Sequence, residues 1–239
     1  MNHHKIKVIL FGMGIMGKQI TRFLADKNVP VVAAVGRRSH IGEDIGELSG
    51  IGPSGVSLLA GPDIDLEEVI KASGANVAIH CSANLEEIAD QICCCLENGL
   101  NVITLSEDAY FPFVENLKTY KRLNDAALRN RVTLVGLHIM PGQTMGSIQC
   151  TELMTAENIT LTGKICWAYG AEGATGIDKW TFRGIPSFEV ITDDPAPFFG
   201  TAIDAVLRIP DVMKAEPGFI TVKDLPKPRY LHGDLDDYV

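Results

Sequence analysis

Lys5-Ile-Lys-Val-Ile-Leu-Phe-Gly12-Met-Gly14-Ile-Met-Gly17 runs a strand straight into a glycine turn, and a helix follows. Ile6–Phe11 has strand character. Met16–Lys27 then carries Ile20, Phe23, Leu24 and Lys27 at i, i+3, i+4, i+7 spacing, the mark of a helix with one buried face. Each glycine of the G-x-G-x-x-G has its own task. Gly12 permits the tight turn, Gly14 lets a diphosphate approach bare backbone, and Gly17 lets the helix pack close to the strand. The N–H groups at the helix start face the phosphates, with the positive end of the helix dipole behind them. A strand before and a helix after are the context that gives this pattern meaning as a dinucleotide site. On this reading Gly12, Met13, Gly14, Ile15, Met16 and Gly17 form the phosphate cradle. The alternative is a glycine-rich turn that binds nothing.

Outward from that turn the strand–helix alternation continues. Val31–Val35 is a short apolar run of the kind buried in a parallel sheet. Ile41–Gly61 is rich in Gly and Ser and reads as loop with about one helical turn. Asp65 is placed to cap a helix over Leu66–Ser73, with Glu68 three residues on as in a capping box. Val77–Cys81 is a strand, and Leu85–Leu96 a helix closed by Asn98-Gly99. Asn101–Leu105 is a strand, Val114–Arg129 a helix and Val132–Leu137 a strand. The rhythm predicts a doubly wound parallel sheet of Rossmann type.

The pattern changes after residue 137. His138–Gly146 is a turn-rich connector. Ile159–Tyr169 then places largely apolar residues at odd positions, as in a half-buried antiparallel strand. Trp180–Phe182 and Phe188–Ile191 read as its neighbours. A helix is expected over Phe198–Arg208, followed by a Pro-rich extended tail. The expected architecture is therefore α/β, in two domains. Residues 1–137 form the dinucleotide-binding domain. Residues 138–239 form a smaller α+β domain with an antiparallel sheet, shortened, serving substrate and oligomer contacts; return of its tail to the first domain is one option.

Bulk properties narrow the partners. The 239 residues carry a formal charge of −9, which argues against nucleic acid, whose backbone is bound by clustered Lys and Arg. Met1-Asn-His3-His4-Lys leads directly into the first strand with no apolar leader, and no apolar run is long enough for a bilayer. A cytoplasmic location and no membrane partner are expected. The cysteines at 81, 93, 94, 95, 150 and 166 show no C-x-x-C pairing, and neighbours in a helix cannot converge on one ion, so no metal is expected. They read as reduced, small apolar side chains. A small antiparallel sheet leaves an edge or face to be covered, so a homo-oligomer is expected.

The nucleotide is read from the end of the second strand. NAD-preferring sites place an acid there for the ribose 2′-OH. Here the chain has Val35-Gly36-Arg37-Arg38-Ser39. Two guanidiniums and a hydroxyl suit a 2′-phosphate, so NADP is favoured without excluding NAD. In the alternative, one arginine stacks on adenine and the other is solvated, which suits either nucleotide. Ligands of such sheets lie beyond the carboxyl ends of the strands. Cys81, Ser82 and Ala83 are there to pack along the nicotinamide ribose. Glu107 is the candidate carboxylate facing a substrate ammonium, and His80 the second acid–base candidate, its free pKa being near neutrality. A structural histidine at 80 and a helix-capping role for Glu107 and Asp108 are the alternatives, and His138 is either a third polar group there or a brace of the connector.

Two sets of strings carry a resemblance. The first half, in G12-M-G-I-M-G17, V77-A-I-H80-C-S82 and N101-V-I-T-L-S-E107, resembles the N-terminal domain of dihydrodipicolinate reductases. The second half, in P141-G-Q-T-M-G146, D178-K-W-T-F-R-G184, R208-I-P-D-V-M213, P217-G-F-I-T221 and L225-P-K-P-R-Y230, resembles the 2,4-diaminopentanoate dehydrogenase family. The resemblance implies an NAD(P)-dependent oxidative deamination of a small diamino acid: hydride leaves the amine-bearing carbon, and the imine is hydrolysed to ketone and ammonia. Two departures stand out. The long segment that this family carries between the last Rossmann strand and the P-G-Q-T stretch is reduced here to a few residues. The H-H-x-x-K motif of the reductases is absent. An imine reductase and a catalytically inactive dinucleotide-binding sensor or oligomer partner remain the competing readings.

Overall fold

A computed structural model describes residues 4–81, 84–110, 112–115, 117–137, 147–154, 160–167, 177–193 and 197–239. The expected connector His138–Gly146 lies outside them. In chain order the strands are β1 Val8–Phe11, β2 Val31–Gly36, β3 Leu58–Ala60, β4 Val77–His80, β5 Asn101–Thr104 and β6 Thr133–Gly136. They continue with β7 Ser147–Met154, β8 Thr160–Trp167, β9 Ile177–Phe182, β10 Phe188–Asp193 and β11 Gly218–Ile220. The helices are α1 Ile15–Asp26, α2 Ile45–Ser49, α3 Leu66–Ser73, α4 Leu85–Glu97, α5 Pro112–Glu115, α6 Leu117–Asn130, α7 Pro197–Leu207 and α8 Ile209–Lys214.

Seven strands form one sheet in the order β11-β6-β5-β4-β1-β2-β3, every pair parallel. Its strands are short apolar runs with both faces covered, as an all-parallel sheet requires. Alternate residues of β1 serve opposite layers. Val8 and Leu10 join the core under α1, α7 and α8, while Ile9 and Phe11 join the core under α3, α4 and α6. Caps set the helix ends. The Asp65 carboxylate accepts from the Glu68 N–H at 3.1 Å and starts α3; the Glu68 side chain does not return the bond, so only half of the expected capping box forms. Asn84 accepts from the Glu87 N–H at 3.1 Å and starts α4. Gly99, at φ +80, turns the chain out of α4.

The chain divides into two compact units. One comprises residues 1–139 with 198–239, the other residues 140–197. Everything from residue 198 onward thus packs with the sheet. α7 and α8 supply Ala202, Ala205, Val206, Ile209 and Val212 to its core, and Phe199 meets Phe23 of α1 edge-on at 4.7 Å. Residues 218–220, read from sequence as extended tail, form a seventh strand against β6. The tail then reaches the start of β1, where the Asp236 carboxylate accepts from the Ile6 N–H at 2.9 Å. Lys27 is buried beneath the tail, its ammonium donating to the Leu231 carbonyl and lying 4.4 Å from the centre of the Tyr230 ring.

Within this return the strings R208-I-P-D-V-M213 and L225-P-K-P-R-Y230 meet. The Arg208 Nη1 donates to Asp211 at 3.1 Å and to the Pro226 carbonyl at 2.5 Å, and Arg229 reaches the other oxygen of Asp211 at 3.1 Å. Asp204, one turn earlier, lies 3.6 Å from the Arg208 Nε. Burial pushes the Asp204 carboxyl above its ordinary value, and the Arg208 charge opposes that rise.

The smaller unit contains two antiparallel pairs, β7 with β8 and β9 with β10. The strand expected over Ile159–Tyr169 therefore pairs with β7, a segment not read as a strand, and β9 pairs with β10. The helix expected at Val114–Arg129 is described over Pro112–Glu115 and Leu117–Asn130, with residue 116 outside the described residues. The stretch Ile41–Gly61 holds the expected helical turn as α2, and its last residues add the edge strand β3, which was not expected.

Candidate dinucleotide site

The strand order turns back at β1: β2 and β3 lie to one side of it, β4, β5 and β6 to the other. At such a switch point the connections leave in opposite directions and open a crevice beyond the strand ends. A cleft of about 610 Å³ stands there. It is lined by residues 11–14 after β1, 35–39 at the end of β2, Leu58, Gly61 and Pro62 beside β3, and His80 and Cys81 at the end of β4, with Ile88 and Gln91 of α4.

The three glycines have three different surroundings. Gly12 has φ +96, a conformation that disfavours a side chain. A Cβ on Gly17 would lie 2.0 Å from the Gly12 carbonyl oxygen, so only glycine lets α1 begin this close to the turn. A Cβ on Gly14 would meet nothing within 4 Å. The described chain gives no packing reason for glycine at 14, whereas a diphosphate lying over the backbone does. Gly14 is also the N-cap of α1, with no side-chain cap and no acid in the first turn. The orphan N–H groups and the dipole at that end favour an anion. Met13 and Met16 are buried in the core, and Met13 also lines the cleft; Ile15 is 62% exposed.

At the end of β2, Arg37 pairs with Glu87 of α4 at 2.5 Å. Arg38 makes no hydrogen bond or ion pair with a described residue, and Ser39 is exposed beside it. The wall next to them is built by a residue that sequence reading passed over. Asp44 accepts from the N–H groups of Gly46, Glu47, Ser54 and Gly55 and from the Ser54 hydroxyl, at 2.7 to 3.1 Å. These bonds, the Ser54 N–H foremost and against the opposing effect of burial, hold its carboxyl well below the ordinary aspartate range. They fold residues 42–57 back so that the Leu58 N–H donates to the Glu43 carbonyl and the Gly42 N–H to the Leu58 carbonyl. Leu58 then fits against Gly36, where a Cβ would lie 2.9 Å from its Cδ2. The signal in the sequence was an aspartate at a helix start followed by Gly-rich chain, which reads as a simple cap.

His80 is fully buried at the end of β4, and Cys81 beside it is half-buried. Phe11 and His80 are register partners on β1 and β4, and their rings stack at 4.0 Å with 7° between planes. The His80 ring is fully buried, its Nε2 4.0 Å from the Cys95 sulfur and its Nδ1 without a hydrogen-bond partner. Burial pushes its pKa down to about 3, so the ring is neutral near pH 7. A proton carrier must reach the group it serves. As placed, this imidazole is buried at the floor of the cleft, stacked on Phe11. Burial likewise pushes the Cys81 thiol up to about 12, leaving it protonated. Glu107 opens a short 3₁₀ turn after β5, two strands from β1, and does not line the cleft. Ser82, Ala83 and His138 lie outside the described residues. Among the described residues no group of His, Cys, Asp and Glu suits a metal ion, and no helix is long and apolar enough to cross a membrane.

The buried imidazole has a consequence for pH. A ring kept neutral by the fold supports stability above the free imidazole value of 6.5. Below that the unfolded chain takes up a proton the folded chain refuses, so stability falls from pH 6.5 down towards about 3. In His80→Phe the urea midpoint should change less than in the unsubstituted chain between about pH 7 and 5.5, above most carboxylate titration.

Residues 6–105 match the family model described as dihydrodipicolinate reductase, N-terminus. That span holds the three glycines, the end of β2 and the floor at His80. Over 144 residues, 59% of this chain, the sequence is 29% identical to 2,4-diaminopentanoate dehydrogenase of Acetoanaerobium sticklandii, covering 40% of that protein. Over 82 residues, 33% of this chain, it is 39% identical to 4-hydroxy-tetrahydrodipicolinate reductase of Methanococcus maripaludis, covering 30% of it. The chain thus spans two fifths or less of the curated relatives it matches. The structure of amine dehydrogenase from Mycobacterium smegmatis aligns with 97% of this chain and 99% of its own, with a TM-score of 0.77 at 20% identity, so the fold is shared. Residues 6–105 therefore carry a dinucleotide-binding domain of the dihydrodipicolinate reductase type, in a chain whose relatives are dehydrogenases and reductases.

Proposed function

We propose that the chain is an NADP-linked dehydrogenase that oxidatively deaminates a small diamino acid resembling 2,4-diaminopentanoate. The observation that carries the reading is Gly14: open space above a bare helix N-cap, in a cleft whose far end holds two arginines and no lining carboxylate. The diphosphate rests on the backbone of residues 12–17. Arg38, with Arg37 and Ser39, takes the ribose 2′-phosphate. Cys81, Ser82 and Ala83 are the residues proposed to meet the nicotinamide ribose. When bound, the nicotinamide supplies the hydride acceptor for the amine-bearing carbon. The chain's own task is to hold that carbon against the ring and to take a proton from the ammonium. Glu107 is the carboxylate proposed to face the ammonium, and His80 supports the cleft floor through its stack on Phe11.

Arg38→Ala should raise the Kd for NADPH roughly 10- to 100-fold, the weight of one or two charge-assisted hydrogen bonds, and that for NADH by less than about threefold. Titration of nucleotide fluorescence measures both. Equal losses for the two would end the NADP assignment. Activity is tested by reduction of NADP with 2,4-diaminopentanoate.

A second reading, dinucleotide binding without turnover, is favoured by one observation. Among the described residues that line the cleft, none is both open to it and titratable near neutrality. Tight NADPH binding with no reduction of NADP would select that reading. We also propose a homo-oligomer, formed through β9 and β10. Their pair leaves Phe188, Val190 and Ile191 about half exposed, and a two-stranded sheet is marginal alone.

A further inference from the structure

The ion pair between Arg37 and Glu87 joins two elements that the cleft separates. Arg37 leaves the end of β2, and Glu87 stands in the first turn of α4, 50 residues away, with 2.5 Å between Nη2 and Oε2. Both anchors are fixed. The Glu87 backbone N–H donates to the Asn84 cap, and Gly36 before Arg37 is pinned against Leu58. Gln91, one turn along α4 from Glu87, lines the cleft that the pair bridges. The lining itself contains Arg37 and Arg38 and no carboxylate. Glu87 therefore brings a negative charge into direct contact with the cationic end of the cleft from just outside it.

We propose that Glu87 is a specificity-determining residue, which holds Arg37 and restrains the preference of the site for a dinucleotide bearing a 2′-phosphate. The proposal rests on the dinucleotide reading above. A 2′-phosphate at the end of β2 carries about −1.5 to −2 charges, as other phosphate monoesters do near pH 7. To use Arg37 it must displace Glu87 or share the guanidinium with it, and in either case the two anions stand close. A bare 2′-hydroxyl meets no such repulsion. Arg38, without a described partner, is left as the principal cation for the phosphate, with Arg37 in part neutralised before any ligand arrives. The side chains of Arg37 and Glu87 are 67% and 54% exposed, so the effect is screened by salt.

Glu87→Gln keeps the length of the side chain and a residue suited to the first turn of a helix. At low ionic strength it should tighten NADPH binding about three- to tenfold and move the Kd for NADH by less than about twofold. The gain should shrink in about 0.5 M salt, where screening acts within a few ångströms. Glu86→Gln removes the same charge from the neighbouring position and should leave both affinities unchanged. An unchanged or weaker NADPH affinity in Glu87→Gln, an equal gain for NADH, or an equal gain in Glu86→Gln would overturn the proposal while leaving the dinucleotide reading intact. Failure of the unsubstituted chain to bind either nucleotide would instead overturn that reading, and this proposal with it.

Discussion

Gly17→Ala is expected to cost the fold at least about 2–3 kcal/mol, because the new methyl would stand 2.0 Å from the Gly12 carbonyl oxygen. No side-chain rotation relieves this clash. The oxygen belongs to the turn and the methyl to the first helical turn, so α1 must move off the sheet or the glycine loop must open. Against a typical total of about 5–15 kcal/mol such a loss is large, and it should appear as a drop in Tm and in the urea midpoint. Gly14→Ala separates folding from binding. Its methyl enters empty space, and φ at 14 is −76, ordinary for alanine. The cost in stability should stay within about 1 kcal/mol, that of alanine at an N-cap. Dinucleotide affinity, however, should fall by about 100-fold or more, since the methyl takes the place of the diphosphate and its hydrogen bonds. A Gly14→Ala chain that binds NADPH as before would remove the ground for placing the diphosphate there.

Arg208→Met should destabilise by about 3–5 kcal/mol. The side chain is 5% exposed and holds Asp211, itself 8% exposed, together with the Pro226 carbonyl. Methionine fills much of the volume but leaves Asp211 dependent on Arg229, which is half exposed, and leaves the carbonyl without its donor. Asp204 loses the charge that opposes its desolvation, so its carboxyl should titrate higher still. The double variant Arg208→Met with Asp211→Leu should recover most of the loss, because an apolar replacement of both partners leaves no buried charge unpaired. Equal destabilisation of the single and double variants in denaturant would show that the network is not what holds α8 and the tail together.

β1, β2, β4, β5 and β6 are legible in the amino-acid order because each centres on a short apolar run bounded by polar or turn residues, as in Val31–Val35 and Val77–Ile79. β3 and β11 are not. Each has three residues, and the strand character of Leu58–Ala60 and Gly218–Ile220 comes from the backbones of β2 and β6 beside them. The glycine turn is legible because its chemistry lies within six consecutive residues. Asp44 and Glu87 are not legible. The one acts through a loop that closes ten residues away, the other through an arginine 50 residues distant. His80 misleads for a related reason. A histidine at a strand end reads as an exposed polar group, yet its parallel register with Phe11 puts the ring under the turn, within van der Waals contact of a phenyl face. Spacing along the chain shows that a residue is near the strand end, and only the pairing shows on which side of the floor its ring falls.

The excursion through residues 140–197 between β6 and α7 makes the coenzyme-binding body discontinuous along the polypeptide. A chain stopped after residue 139 would lack α7, α8 and β11. It would leave β6 as an open border and bare the apolar layer now roofed by Ala202, Ala205, Val206, Ile209 and Val212. That body consequently needs residues 1–139 together with residues 198–239. Removal of either chain terminus would damage the same body.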